Sequence, residues 1–308
     1  MDNNRTPAEE CAPCEETQNK SKRTHIIYIA VICLLTALLI QALLRDSILD
    51  STGRFSYEKN ETGCTVTGFS GDEHYFVMPE KHFGHPVTAI GEKAFSGNRA
   101  LGWVSISGQV TVIGSEAFAE CTSLDSVTIP NSVTEIGVRA FSGCDSLRHI
   151  EIPESVTEIG EEAFADCYGL SSVCIPDGVT RIRDGLFHGC TRLLDVELPD
   201  SVTSIGDDAF SGCSRLISIT IPESVTSIGG YAFANCSSLT SITIPESVTT
   251  IGEDAFACCS SLRSITIPES VTYIGEHAFA LCYLTVTAPH EASYYSYTPD
   301  GTVTWVVK

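Results

Sequence analysis

The side chains in this chain that could do chemistry are thiols, imidazoles and carboxylates, and most of the thiols share one spacing. Of 14 cysteines, eight stand at positions 121, 144, 167, 190, 213, 236, 259 and 282, a constant step of 23. Thiolates hold soft metals or pair as disulfides. A strictly periodic column instead gives every thiol the same apolar neighbours, where Cys behaves as a small hydrophobe with a weak donor. Reduced structural thiols are therefore expected, although stacking at roughly 5 Å in Cα spacing leaves a disulfide within reach. Cys11 and Cys14 form a lone C-x-x-C, and no second pair follows nearby to complete a zinc site. His74, His82 and His85 lie close together in sequence without defined acidic co-ligands, and read as solvated imidazoles. The carboxylates Glu154, Asp177, Asp200, Glu223, Glu246 and Glu269 form another column, each just after a Pro. Hard divalent cations favour such oxygens, but turn capping and solvation account for acids at these places. The glycine- and aspartate-rich Ca²⁺ repeat motif is not present. Asn60-Glu61-Thr62 is a glycosylation sequon, relevant only in a eukaryotic secretory route.

No H-E-x-x-H, G-x-S-x-G, Walker loop or G-x-G-x-x-G occurs, so no catalytic residue, metal or cofactor is assigned and the chain is not read as an enzyme. With 39 acidic against 18 basic residues the net charge is −21. Nucleic acid, which calls for a basic stripe, is set aside as a partner.

The elements that place these side chains repeat with the same period. Phe recurs at 95, 118, 141, 164, 187, 210, 233, 256 and 279. A period without drift means a solenoid in which equivalent residues stack. In the unit Cys121 to Gly143, CTSLDSVTIPNSVTEIGVRAFSG, Leu124, Val127 and Ile129 face inward along a strand while Ser126 and Thr128 face out. Pro130 ends that strand. Val133 to Ile136 makes a second short β segment, and Gly137 follows where a Cβ would obstruct the chain. Ala140-Phe141 and the residues up to Cys144 read as one helical or 3₁₀ turn. No coil buries its own apolar set, so stability has to come from stacking.

The pattern C-x-x-L-x-x-I-x-I-P-x-x-V-T-x-I-G-x-x-A-F resembles the BspA-type leucine-rich repeat, also called the LRR_5 class, found in surface proteins of bacteria and of some protist parasites. It covers roughly residues 79 to 288. The resemblance implies a repeat solenoid: a right-handed leucine-rich-repeat coil with parallel β-strands and short helical or 3₁₀ turns. It also implies a surface-exposed binding or adhesion module with no catalytic residues. Three departures stand out: Arg183 replaces the repeat Gly, Leu186 replaces the Ala before Phe187, and Asn98 stands at the Cys position of the first unit. Local distortion is expected around Arg183.

Outside the repeats, residues 1–24 read as a disordered cytoplasmic tail. The stretch 25–44 contains a 19-residue apolar run without a charge, IIYIAVICLLTALLIQALL. At 1.5 Å per residue this matches the hydrocarbon thickness of a bilayer, and QALLRDS offers no small-x-small cleavage site. One uncleaved transmembrane helix is expected ahead of the solenoid. Lys20, Lys22 and Arg23 precede it, which keeps the N-terminus inside a cell membrane and puts the repeats outside. Residues 45–85 are read as linker and N-terminal cap, 86–283 as the repeat solenoid and 284–308 as C-terminal cap. Tyr294, Tyr295 and Trp305 in that last segment are assigned to capping ahead of a ligand platform.

Function is sought in outward strand positions that break the pattern. These read Ser126/Thr128, His149/Glu151, Ser172/Cys174 and Asp195/Glu197, then Ser/Thr in the later coils. Arg148, His149, Glu151, Asp195 and Glu197 are the candidate binding residues, facing a protein or glycan ligand on an extracellular surface. The alternative is a passive spacer or scaffold of the cell envelope, which the uniform later coils resemble.

Overall fold

A computed structural model describes residues 54–288 and the backbone of a strand at 303–307. The N-terminal tail with Cys11 and Cys14, the apolar stretch 25–44, and Tyr294 and Tyr295 lie outside the described residues, as does the side chain of Trp305. Among the described residues, no helix is long and apolar enough to cross a membrane.

The described chain winds as a β-solenoid, and most coils carry two short parallel strands, the first being reduced to a single bridge at His149 in the coil that starts at Cys144. The first lies on the L-x-x-V-x-I segment, as in Ser126–Thr128, Ser172–Cys174 and Asp195–Glu197. The second covers the residues just before the repeat Gly, as in Glu135–Ile136 and Ser204–Ile205. Alternation places Val127, Val196, Ile136 and their equivalents inside, as the period-2 pattern requires. Stacking is in register, residue on equivalent residue, so Ile205 pairs Ile228 and Ile228 pairs Ile251.

The third wall corrects the expected helical turn: among the described residues there is neither an α- nor a 3₁₀-helix. From Gly137 to Cys144 the chain makes consecutive turns, and two residues per coil are left-handed. Two positions before Phe these are Lys93, Glu116, Arg139, Glu162, Gly185, Asp208, Tyr231, Asp254 and His277; two positions after Phe the set includes Gly97, Glu120, Gly143 and Asp166. A left-handed residue swings its peptide out of the helical path, so alternate N–H groups point along the solenoid axis. Arg139, Phe141 and Gly143 donate to the carbonyls of Glu161, Ala163 and Ala165 in the next coil, at 2.8–2.9 Å. The same three bonds recur at every step from Phe95 to Phe279. Left-handed geometry costs a non-Gly residue roughly 1–2 kcal/mol, and these inter-coil bonds offset it.

The core is a set of stacked columns. Phe95 to Phe279 form one aromatic ladder with ring centroids 4.8–5.8 Å apart and planes within 19° of parallel. The upper end of this ladder is covered. An antiparallel hairpin, Phe55–Lys59 with Cys64–Phe69, lays Phe69 over Phe95 at 5.3 Å, with Phe76 beside them.

Polar repeat residues hold neighbouring coils together. Ser155 donates to the Val133 carbonyl at 2.6 Å, and Thr203 to that of Thr180 at 3.1 Å. The coil with Arg183 interrupts this order. The second-strand ladder stops at Glu158–Ile159 and resumes at Arg181–Ile182. Elsewhere the repeat Gly lets backbones approach closely: a Cβ on Gly137 would meet Ser115 N at 2.6 Å. Arg183 carries that Cβ, so its coil stands off, and its guanidinium pairs with Glu158 at 3.2 Å. The third wall runs through this break unbroken, with Glu162 N–H donating to Asp184 O at 2.9 Å.

Candidate functional site

The thiols that opened the sequence question are structural. The eight repeat cysteines are free and buried. Each Sγ–H donates to the carbonyl of the Phe one coil back, at 3.0–3.3 Å. Burial pushes the thiols of Cys121, Cys167 and Cys236 up to about 12 and raises those of Cys144, Cys190, Cys213 and Cys259. A thiol held protonated is neither a nucleophile nor a metal ligand.

Of the histidines near the N-terminal hairpin, His82 and His85 are paired across two short antiparallel strands, and His74 is engaged elsewhere. His74 Nδ1 lies 3.1 Å from the Ala100 carbonyl, and His82 stacks on Tyr57 at 3.8 Å. Asn60 of the sequon is engaged: its Nδ2 donates to Thr65 Oγ1 and Thr88 Oγ1, and its Oδ1 accepts the Gly63 N–H at 2.6 Å. In the acidic column, Glu154 Oε2 accepts the Asp177 backbone N–H at 3.4 Å, a loop-capping contact.

The five candidate binding residues are all exposed on the first-strand face. Ser172 is bridged to His149 on one side and paired with Asp195 on the other, and Cys174 pairs with Glu197. His149, Ser172 and Asp195 thus form one row across three coils, with Glu151, Cys174 and Glu197 as the next. Within a coil, His149 Nε2 lies 3.8 Å from Glu151 Oε1. Arg148 sits beside the first row and pairs with Asp125 at 3.4 Å, engaged by its own neighbour. Cys174 is exposed, and its thiol is raised by partial desolvation and by hydrogen bonding to Glu197.

The sequence reading missed the apolar part of this face. Leu194 and Ile217 occupy equivalent positions in adjacent coils, immediately before the outward strand residues, and are 40% and 51% exposed. Asp125, Arg148, Ser171, Thr240 and Arg263 fill that position elsewhere. The signal was two consecutive aliphatic residues in a polar column. Arg192 and Arg215, two residues upstream, are exposed beside the pair. An aliphatic pair between cations and the acids Asp195 and Glu197 suits protein recognition, where apolar anchors contribute affinity and rim charges give register.

Stacked parallel strands, an aromatic ladder and a polar-varied outer face define a leucine-rich-repeat solenoid of the binding or scaffold type. The chain belongs to the BspA type leucine rich repeat family, whose model matches it in six copies over residues 88–213 and 180–292. A leucine-rich repeat protein from Bacteroides ovatus is similar in structure, with TM-score 0.74 and 30% identity over 82% of this chain and 70% of that one. A leucine rich cell surface protein from Faecalibacterium prausnitzii aligns at TM-score 0.51 and 29% identity, covering 84% of this chain and 94% of its own. The T. pallidum leucine rich repeat protein gives TM-score 0.54 and 29% identity, over 74% and 98% of the two chains. No curated protein matches the chain.

Proposed function

We propose that this is a membrane-anchored surface protein whose repeats bind a protein partner through the first-strand face from Arg148 to Ile217. The observation that carries the reading is the exposed Leu194–Ile217 pair beside Asp195 and Glu197, on coils that depart from an otherwise Ser/Thr face. Core packing gives no reason for outward aliphatic residues. Repeat proteins bind on such extended surfaces. The anchor rests on the 19-residue apolar run and on Lys20, Lys22 and Arg23 before it. Surface placement is supported by the similarity to the Faecalibacterium prausnitzii cell surface protein. Adhesion to a host or neighbouring cell is the role such a display serves. On this face the uniform coils from Ser218 to Thr266 act as spacer.

Two experiments test this. External protease on intact cells should digest the repeats as it digests a known surface protein; survival of the repeats would overturn the topology. Crosslinking on those cells should capture a partner protein. Replacing Leu194, Asp195, Glu197 and Ile217 by the Ser or Thr of later coils should abolish capture while thermal stability holds. Equal loss from changes at Thr220 and Thr243 would place recognition elsewhere.

A further inference from the structure

A second surface, on the opposite strand column, has the chemistry of a sugar site. A groove of about 510 Å³ runs along the second-strand face from Arg181 to Tyr273. Its floor is Ser204, Ser227 and Thr250 with the backbone of Gly206, Gly229 and Gly252. The three hydroxyls occupy equivalent positions of paired strands, so they are spaced by about 4.8 Å, close to the length of one sugar ring. The two hydroxyl columns just upstream of this strand are spent on the preceding coil, as Ser224 is on Val202 and Thr226 on Thr203. Those of Ser204, Ser227 and Thr250 are half-buried and make no hydrogen bond to any described residue.

One wall carries Asp184 and Asp207. Each uses one oxygen, Asp184 Oδ1 accepting the Asp207 N–H at 2.9 Å and Asp207 Oδ1 the Gly230 N–H at 2.7 Å. Their second oxygens accept no hydrogen bond from any described residue. Beyond Asp207 the wall opens at Gly230, in a column where other coils have Glu92, Ser115, Val138, Glu161, Glu253 or Glu276. The ends are an exposed Arg181 without an ion pair among the described residues, and Tyr273, 55% exposed.

We propose that this groove binds a neutral oligosaccharide lying along the solenoid axis, its hydroxyls bonded to the Ser/Thr floor and the Asp184 and Asp207 carboxylates, and its ring face against Tyr273. Free hydroxyls and carboxylates in a row match a polyhydroxylated chain, and an aromatic ring offers its face to sugar C–H groups. An anionic ligand would meet Asp184, Asp207 and a net charge of −21. A peptide joining by strand addition needs unpaired backbone groups, and along the groove the strands at 204, 227 and 250 are paired on both sides, which leaves open edges only at the two end strands.

The test is calorimetric titration of the full chain with cellohexaose, maltohexaose and mannohexaose. At least one should bind. Tyr273→Ser removes the ring, and Gly230→Glu restores the side chain other coils carry, in a position where a Cβ meets nothing nearer than the Glu253 carbonyl at 3.3 Å. Each should weaken binding at least about tenfold with the melting temperature unchanged. The Leu194, Asp195, Glu197 and Ile217 variant should bind the sugar normally, which separates this site from the protein-binding face. No saccharide bound, binding retained in both groove variants, or an extended peptide bound in the groove instead would overturn the proposal.

Discussion

The Sγ–H of Cys144 points at the carbonyl oxygen of Phe118 in the coil before it, 3.2 Å away. That carbonyl already accepts the N–H of Cys121 at 3.2 Å, so the thiol supplies its second bond. The position demands a small, nearly apolar side chain with one donor, and Cys meets both demands. In the first coil Asn98 does the same work toward the cap, donating Nδ2–H to Gly71 O at 2.8 Å while its Oδ1 accepts the N–H groups of Ala100 and Leu101.

This arrangement makes the fold sensitive to alkali. Unfolded thiols ionise near pH 8.5, whereas burial holds those of Cys121, Cys167 and Cys236 protonated up to about 12. Between those limits the folded state binds more protons, so stability is intact below about pH 8.5 and falls above it, by up to ~1.4 kcal/mol per pH unit per thiol. Urea midpoints should be flat to about pH 8.5 and then decline. Cys167→Ala and Cys236→Ala together should flatten the decline; an unchanged slope would remove the thiols as its cause.

Reactivity should follow the same division. In native protein a thiol reagent should modify exposed Cys174 before any of the eight repeat cysteines, all buried. Peptide mapping after brief alkylation reads this directly, and early labelling of Cys167 or Cys190 would contradict the buried column.

The aromatic ladder makes each Phe a shared element of two interfaces. Phe164 stacks on Phe141 at 5.6 Å and on Phe187 at 5.8 Å. Phe164→Ala should cost roughly 3–5 kcal/mol in denaturant unfolding. A loss below about 1 kcal/mol would mean the coils repack around the gap.

Close approach and handedness are separable. On Gly137 a Cβ would meet Gly114 C at 2.7 Å, so Gly137→Ala should cost roughly 1–3 kcal/mol as overpacking does. Gly212 has φ of 77° and open space, its nearest neighbour Gly189 Cα at 3.4 Å. Gly212→Ala should therefore cost about 1–2 kcal/mol through backbone strain alone, while Asn235→Gly, at φ 60°, should be stabilising or neutral. The reverse ordering in thermal melts would refute the left-handed assignment.

The repeat period was legible because stacking places every equivalent residue in the same environment. Position 141 must be what 118 and 164 are, so one sentence of 23 residues specifies the Phe and Cys columns, the inward Val and Ile, and the Gly at the close approach. The departure at Arg183 was equally readable, since a Cβ where backbones touch breaks the second ladder by sterics alone. The third wall was not legible. Ala140-Phe141 has the local look of a helical turn, and what overrides it are the N–H bonds of Arg139, Phe141 and Gly143 to the next coil, which no single coil contains. The surfaces divide in the same way. Alternation identified His149, Glu151, Asp195 and Glu197 as outward from the sequence alone. That Leu194 and Ile217 also stand out of the core, and that Ser204, Ser227 and Thr250 keep their hydroxyls free while neighbouring Ser and Thr columns spend theirs, was decided by how one coil seats on the next.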